Sequence, residues 1–121
     1  MSVPSPTPHP TPAHDHPEQP SDEQVKAAVT SFSLLAEPTR VRILWALRDG
    51  AADVTTLAAS ARCRPSVASQ HLSKLRLAGL VEGERDGRRV LYRVRGGHVR
   101  NLLTEALFHA DHQVRGAPVH D

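Results

Sequence analysis

The dipeptide Asp86-Gly87 limits the fold of this chain more than any other stretch. It separates two runs of alternating polar and apolar character, Leu80 to Arg85 and Arg88 to Val94. Asp-Gly in this setting is typical of a tight turn between antiparallel strands, because such turns need residues that tolerate positive φ. The sequence therefore predicts one β-hairpin in this region.

Two amphipathic helices are predicted well before the hairpin. The first begins with Ser21 and Gln24, whose spacing is that of a capping box. The second begins at Pro38, since proline is tolerated at the first helical position, and Gly50 is its predicted C-cap. Apolar side chains recur at helical spacing in both segments. They are Val25, Ala28, Val29, Phe32 and Leu35 in the first helix and Val41, Ile43, Leu44 and Leu47 in the second.

Two more short helices, joined by a few residues, are predicted next. Asp53 or Thr55 can cap the first of them, and the second runs from Pro65 to a stop at Gly79. The residues of the second helix that are predicted to point inward are Val67, Ala68, Leu72, Leu75 and Ala78. Two short helices with a tight joint, the second polar on its outer face, indicate a helix-turn-helix. The hairpin that follows is then a wing.

A last amphipathic helix is predicted from about His98 to Gln113. The fold class is therefore mainly α with a small hairpin, a winged helix-turn-helix in the order α-α-α-α-β-β-α. Residues 1–20 hold seven of the ten prolines and almost no large apolar side chain, so we expect a disordered Pro/His-rich arm. Residues 21–115 are predicted to form the winged helix-turn-helix domain, which we expect to bind DNA and to dimerise, and residues 116–121 are predicted to form a flexible tail.

Several protein classes are disfavoured by composition. No apolar stretch approaches the roughly 18 residues that cross a bilayer, and the arm lacks the apolar core of a signal peptide. The single cysteine, Cys63, excludes an internal disulfide framework and suits a reducing cytosol. No nucleophile is paired with a base, and no glycine-rich phosphate loop is present. We therefore expect a cytoplasmic protein that is not an enzyme.

Basic residues are concentrated in one part of the chain. Residues 62–100 contain ten arginines and lysines against three acidic residues, although the whole chain carries a net charge of only +2. Such an excess is typical of a surface for the phosphates of double-stranded DNA, although a solvated basic surface is the alternative. Serine and glutamine can read base edges, and lysine and arginine anchor phosphates. The candidate DNA-binding residues are Ser66, Ser69, Gln70, Ser73, Lys74, Arg76, Arg85, Arg88 and Arg89.

Three separated segments resemble one known family. Leu34 to Leu44, Ser66 to Val81 and Arg85 to Tyr92 are similar, in order and spacing, to the ArsR/SmtB family of metal-sensing transcriptional regulators. The similarity covers roughly residues 25 to 115. It implies a homodimer whose first and last helices form the interface, with two reading helices set for successive major grooves of a palindromic operator.

Three histidines lie in the last predicted helix: His98, His109 and His112. At 100° per residue they share one face. His109 and His112 can bind one ion together, whereas His98 lies about 16 Å away along the same helix. Two such helices packed antiparallel in a dimer bring His98 of one chain to His109 and His112 of the other. A surface helix that is merely rich in histidine is the alternative.

The family resemblance also extends to this helix. Gly96-Gly97-His98, followed by the segment from His109 to His112, is most similar to the nickel- and cobalt-sensing branch. This implies Ni²⁺ or Co²⁺ as effector, with Zn²⁺ as the alternative and no organic cofactor. Gly96 stands where the family has aspartate, which removes one ligand from a tetrahedral zinc site. The candidate replacements are Glu105, one turn before His109, and His14, His16 or His9 of the N-terminal arm.

The family's thiolate-based site is disfavoured, because no paired cysteines lie near the third helix. Cys63 is predicted to be a small buried residue. Two other functions stay open at this point. One is a winged-helix regulator without metal input, for which Gly96 is the main sequence evidence. The other is a metal-buffering or protein-interaction module that uses the histidines of the arm.

Overall fold

The computed structural model describes residues 18–116. It contains five helices and one hairpin, in the predicted order α-α-α-α-β-β-α. The elements are α1 (Asp22–Leu35), α2 (Pro38–Ala46), α3 (Val54–Ala61), α4 (Pro65–Leu77), β1 (Val81–Asp86), β2 (Arg89–Val94) and α5 (His98–Arg115). None of these helices is long and apolar enough to cross a membrane. Most of the predicted arm and tail lies outside the described residues.

The chain divides into two compact units after Ser31, within α1. The described part of the first unit contains the start of this helix, where the predicted capping box is confirmed. The backbone N–H of Gln24 donates to Ser21 Oγ at 3.0 Å, and the backbone N–H of Ser21 donates to Gln24 Oε1 at 2.8 Å. Two N–H groups that a helix start leaves without partners are thereby satisfied.

The core of the second unit lies between α2, α3 and α4 and extends to the wing and α5. Its largest fully buried side chains are Ile43, Leu44, Leu47, Leu57, Leu72, Leu75 and Val81. Three of the predicted inward residues of α4, Ala68, Leu72 and Leu75, are buried, but the prediction was wrong for Val67 and Ala78, which are exposed. A helix that packs along one narrow stripe leaves such flanking positions in solvent.

The end of α2 differs from the prediction. The helix ends at Ala46 with Leu47 as C-cap, so Gly50 is not the cap. The carbonyl oxygens at the end of α2 accept hydrogen bonds from the Arg48 side chain and from backbone N–H groups of a tight turn. The Arg48 guanidinium donates to the Trp45 carbonyl oxygen at 2.8 Å and lies 4.0 Å from the centre of the Trp45 ring. A positive-φ glycine is therefore not required.

The predicted wing is confirmed, with a turn shifted by one residue. The strands pair from Val81 opposite Val94 to Asp86 opposite Arg89, which leaves Gly87 and Arg88 as the two-residue loop. Gly87 has φ +68, the conformation that favours glycine at the first loop position. Aspartate therefore ends the first strand rather than occupying the turn.

The wing is attached to the loop before α3 by a two-way backbone bridge. The Tyr92 N–H donates to the Ala52 carbonyl oxygen at 2.8 Å, and the Ala52 N–H donates to the Tyr92 carbonyl oxygen at 3.0 Å. Asp53 follows at once and caps α3, so the structure selects Asp53 over Thr55 as the cap. The wing and the helix-turn-helix therefore share one anchor point.

Candidate nucleic-acid interface and metal centre

The exposed face of α4 carries the residues that the sequence indicated as DNA readers. Ala68, Leu72 and Leu75 bury the opposite face against the core. The side chains left in solvent are Ser66, Ser69, Gln70, Ser73, Lys74 and Arg76. Hydroxyl and amide groups extend from the first turn to Ser73, and the two cations lie in the last turn. Such a helix face presents groups that can pair with base edges beside groups that can hold phosphates.

The three wing arginines are all exposed, but they differ in their partners. Arg85 Nη1 donates to the Gly87 carbonyl oxygen at 3.4 Å and so braces the turn. Arg89 forms ion pairs of 3.5 Å with Asp86 and with Asp53. Arg88 forms no ion pair or hydrogen bond with the described residues. Among these three, Arg85 and Arg88 can be engaged by DNA without displacing a carboxylate, whereas Arg89 cannot.

Reading helix and wing meet in one groove of about 380 Å³. Ser69 of α4 lies on one side of it, and Arg88 and Arg89 of the wing lie on another. Asp53 and Thr55, at the start of α3, complete this end of the lining. The structure therefore brings together three of the predicted DNA-binding residues from two separate segments of the chain.

Asp53 is a functional residue that sequence reasoning recognised only as a helix cap. Its Oδ1 accepts a hydrogen bond from the Thr56 N–H at 3.0 Å, while Oδ2 pairs with Arg89. Hydrogen bonds from the backbone and hydroxyl of Thr56, together with the nearby Arg89 charge, hold the pKa of this carboxyl below its usual range. One carboxylate thus ties the wing to the start of α3.

We expect Asp53→Asn to lower the free energy of unfolding at neutral pH and to reduce the loss of stability on acidification. A carboxyl whose pKa is lowered in the folded state stabilises that state above its usual pKa of 3.8, and this contribution is lost as the pH falls through the lower folded value. Urea unfolding of both proteins from neutral to strongly acidic pH measures the difference, which should shrink below pH 3.8. A difference independent of pH would contradict the assigned ion pair.

The candidate metal ligands lie on α5. His98, His109 and His112 are all exposed, on one uninterrupted helix. Because the helix is continuous, His98 and His109 are separated by about 16 Å of rise. Within the part of the chain that the structure describes, no three His, Cys, Asp or Glu side chains lie close enough to hold an ion. A site that uses all three histidines therefore needs a second chain.

One of these histidines contacts an aromatic neighbour on α5. The imidazole of His112 packs against the Phe108 ring, with 4.9 Å between the ring centroids, which limits its motion. Asp111 is paired with Arg115 at 2.8 Å. Glu105 is exposed one turn before His109. His9, His14, His16 and His120 lie outside the described residues.

Gly96 has a backbone conformation that bears on the missing aspartate. Its φ is +71, where side chains other than glycine are strained, and a Cβ built there meets no atom within 4 Å. Space for a carboxylate is therefore present, but the chain reaches α5 through a turn suited to glycine.

Cys63, predicted to be buried, is half-buried and packs against the core.

An apolar groove of about 360 Å³ lies between the end of α1 and α5. Phe32 is 57% exposed and Leu102 is 39% exposed, although both line this groove. Leu35, Val41 and Leu107 continue the same surface. Contiguous apolar area of this kind is typical of a protein–protein interface.

A helix-turn-helix domain model matches residues 35–84. The HTH-type transcriptional regulator KmtR of Mycobacterium tuberculosis is 44% identical over 109 residues, which cover 89% of this chain and 83% of KmtR. The homodimeric winged helix-turn-helix domain Mb0332 of Mycobacterium bovis, a possible ArsR-family regulator, superposes with a TM-score of 0.70 at 28% identity, covering 86% of this chain and 98% of that domain. The chain belongs to the ArsR/SmtB family.

A further family structure, the solution structure of apo-NmtR, has a TM-score of 0.64 and 39% identity, covering 87% of this chain and 89% of that one. The NmtR sequence of Mycobacterium tuberculosis is 40% identical over 105 residues. Membership confirms the resemblance drawn from the three sequence segments and the winged helix-turn-helix fold. The protein is accordingly a DNA-binding transcriptional regulator and not an enzyme.

Proposed function

We propose that this protein is a homodimeric repressor whose operator affinity is lowered by a transition metal bound between the two α5 helices. The observation that carries the proposal is the position of three exposed histidines on one uninterrupted helix, with His98 too far from His109 and His112 to share an ion within one chain. Two antiparallel α5 helices provide two equivalent sites, each with ligands from both protomers.

The apolar groove between α1 and α5 supports this dimer. Phe32 and Leu102 are 57% and 39% exposed in the single chain, and a second copy that buries them removes this area from water. The metal ligands lie on the same helix as this groove. Metal binding and dimer geometry are therefore coupled through α5.

The donor set favours nickel or cobalt over zinc. Imidazole nitrogens suit all three ions, but tetrahedral zinc lacks a fourth protein ligand because Gly96 replaces the family's aspartate. Nickel and cobalt accept higher coordination numbers, which water and a further donor can complete. Glu105, one turn before His109 on the helix, is a candidate for the further donor, and His14 and His16 of the arm are the sequence-based alternatives.

The DNA surface of a dimer consists of two α4 helices flanked by two wings. Ser66, Ser69, Gln70 and Ser73 are proposed to contact base edges of a palindromic operator. Lys74, Arg76, Arg85, Arg88 and Arg89 are proposed to bind phosphates. The ion pairs of Arg89 with two carboxylates make it the weakest phosphate ligand of the wing.

Metal titration while operator binding is followed tests the whole proposal. Saturating nickel or cobalt is expected to weaken operator binding by a factor of about 5 to 150, the usual range of allosteric coupling. Zinc is expected to have a smaller effect. If nickel, cobalt and zinc all leave the affinity unchanged, the protein is a winged-helix regulator without metal input, the function that Gly96 favours.

Restoring the family's carboxylate is expected to improve zinc binding. Gly96→Asp places a carboxylate two residues before His98, and the open space there admits it, at the cost of a strained φ. We expect zinc affinity to rise at least about tenfold, since even groups outside the ligand shell change metal affinity roughly 10- to 100-fold. Competition with a chelator measures the affinity.

The matched control for this variant is Gly96→Asn, which carries the same backbone cost without the negative charge. Equal zinc affinities for the Asp and Asn variants would show that position 96 does not face the site. A gain for zinc that exceeds the gain for nickel is the expected pattern, because zinc is the ion short of a ligand.

A further inference from the structure

A small polar cluster joins the start of α2 to the inner side of α4. Arg40 Nε donates to His71 Nδ1 at 3.0 Å, and the Arg40 N–H donates to Glu37 Oε1 at 2.8 Å. Glu37 Oε1 lies 3.9 Å from His71 Nε2, which closes a ring of three residues. The His71 side chain is only 17% exposed.

The same arginine also reaches the end of α1. Arg40 Nη1 donates to the Leu34 carbonyl oxygen at 3.2 Å. Leu34 is in the last turn of α1, where carbonyl oxygens lack partners within the helix. One guanidinium group therefore binds the last turn of α1 with one nitrogen and the reading helix with another. The planar guanidinium holds its five N–H donors in fixed directions, which suits two acceptors on different elements.

The direction of the hydrogen bond determines the chemical form of His71. Since Arg40 Nε–H is the donor, His71 Nδ1 must be an unprotonated acceptor, and a neutral ring then carries its proton on Nε2, towards Glu37. The residue that precedes His71 on α4 is Gln70, which is proposed to contact base edges. A change in the angle of α4 at His71 therefore moves Gln70 relative to the DNA.

We infer that Arg40 and His71 are positioning residues that hold the reading helix in register with the corner between α1 and α2. The inference rests on the proposed role of α4 in reading bases. Contacts to base edges require correct placement of α4, whereas contacts to phosphates tolerate small displacements. Loss of the Arg40–His71 hydrogen bond should thus reduce sequence discrimination more than total DNA affinity.

The test uses the full-length, metal-free protein and two DNA probes. The specific probe is a duplex that the wild-type protein selects from a randomised pool, and the non-specific probe is poly(dI-dC). Arg40→Lys and His71→Gln are expected to lower the ratio of specific to non-specific affinity about tenfold, the effect of one hydrogen bond to a charged group. Non-specific affinity should stay unchanged.

His71→Asn is the matched control, because its Oδ1 takes the place of Nδ1, whereas the amide of glutamine lies one bond further out. The Asn variant should keep nearly the wild-type ratio, and Arg40→Lys combined with His71→Gln should be no worse than either alone. Equal ratios in all variants would overturn the inference. So would a parallel loss of both affinities with a lower unfolding temperature, which indicates a purely structural role.

Because no metal is present, this experiment is independent of the metal proposal. If no metal changes operator binding by the wild-type protein, but the Arg40→Lys variant loses sequence discrimination, the sensing function is contradicted and the positioning role is supported. If nickel releases the wild-type protein from DNA, but the Arg40→Lys variant keeps its full sequence discrimination, the sensing function is supported and the positioning role is contradicted.

Discussion

Mixing a His98→Ala protein with a His109→Ala/His112→Ala protein is expected to restore metal binding that neither variant shows alone. In a site shared between antiparallel α5 helices, each mixed dimer contains one intact set, His98 from one chain with His109 and His112 from the other. The second site of the same dimer lacks all three histidines. A site within one chain would stay broken in both partners, so no recovery would occur.

The expected effect is large, because each homodimer lacks at least one imidazole ligand in both sites. Loss of a direct ligand should reduce affinity by more than the roughly 10- to 100-fold that outer groups contribute. The d–d absorption of the cobalt form, recorded before and after subunit exchange, measures the recovery and also separates four from six ligands. Wild-type protein and each unmixed variant are the controls. Absence of recovery after proven exchange would contradict the shared site.

Replacement of Gln70 by alanine is expected to cost about 1–3 kcal/mol of operator affinity per half-site and to relax discrimination at one base pair of each half-site. Gln70 is exposed on α4, and its amide can pair with both N6 and N7 of adenine in the major groove. Binding of a panel of operators with single base changes measures the effect. The variant should lose its base preference at one position of each half-site and keep its preference at the other positions.

Lys74→Ala is the matched control on the same helix. A phosphate contact carries no sequence information, so this change should weaken binding to all duplexes alike. It should lower the slope of log affinity against log salt by about 2, one phosphate contact for each protomer. If Gln70→Ala also weakened every duplex equally, α4 would hold phosphates in that turn rather than read bases. Together the two variants separate positioning from recognition.

Features with local causes could be predicted from the sequence. The Ser21–Gln24 capping box, the proline that opens α2 and the hairpin around Gly87 all depend on residues a few positions apart, so their signals are visible in the chain itself. The predicted end of α2 at Gly50 was wrong because the Arg48 guanidinium and the backbone N–H groups of Leu47 and Arg48 donate to the free carbonyl oxygens instead. Several side chains can close a helix end, and spacing does not say which of them does.

Contacts between distant segments could not be predicted in this way. Asp53 reads as a helix cap in the sequence, and nothing near it indicates that it also holds Arg89 of the wing. Likewise His71 lies within the motif that resembles the family, but its partner Arg40 is 31 residues away. Such pairs exist only after α2, α3 and α4 have packed around their shared core.

The sequence by itself determined the wing, the polar face of the reading helix and the spacing of three histidines that no single α5 helix can bring together. Periodicity and the helical rise are properties of neighbouring residues, so these conclusions need no tertiary contacts. Only the tertiary structure decided how the wing is fastened to α3 and how Arg40 links α4 to the end of α1. Packing alone sets the distance and angle between helices, and hydrogen bonds between distant residues depend on both.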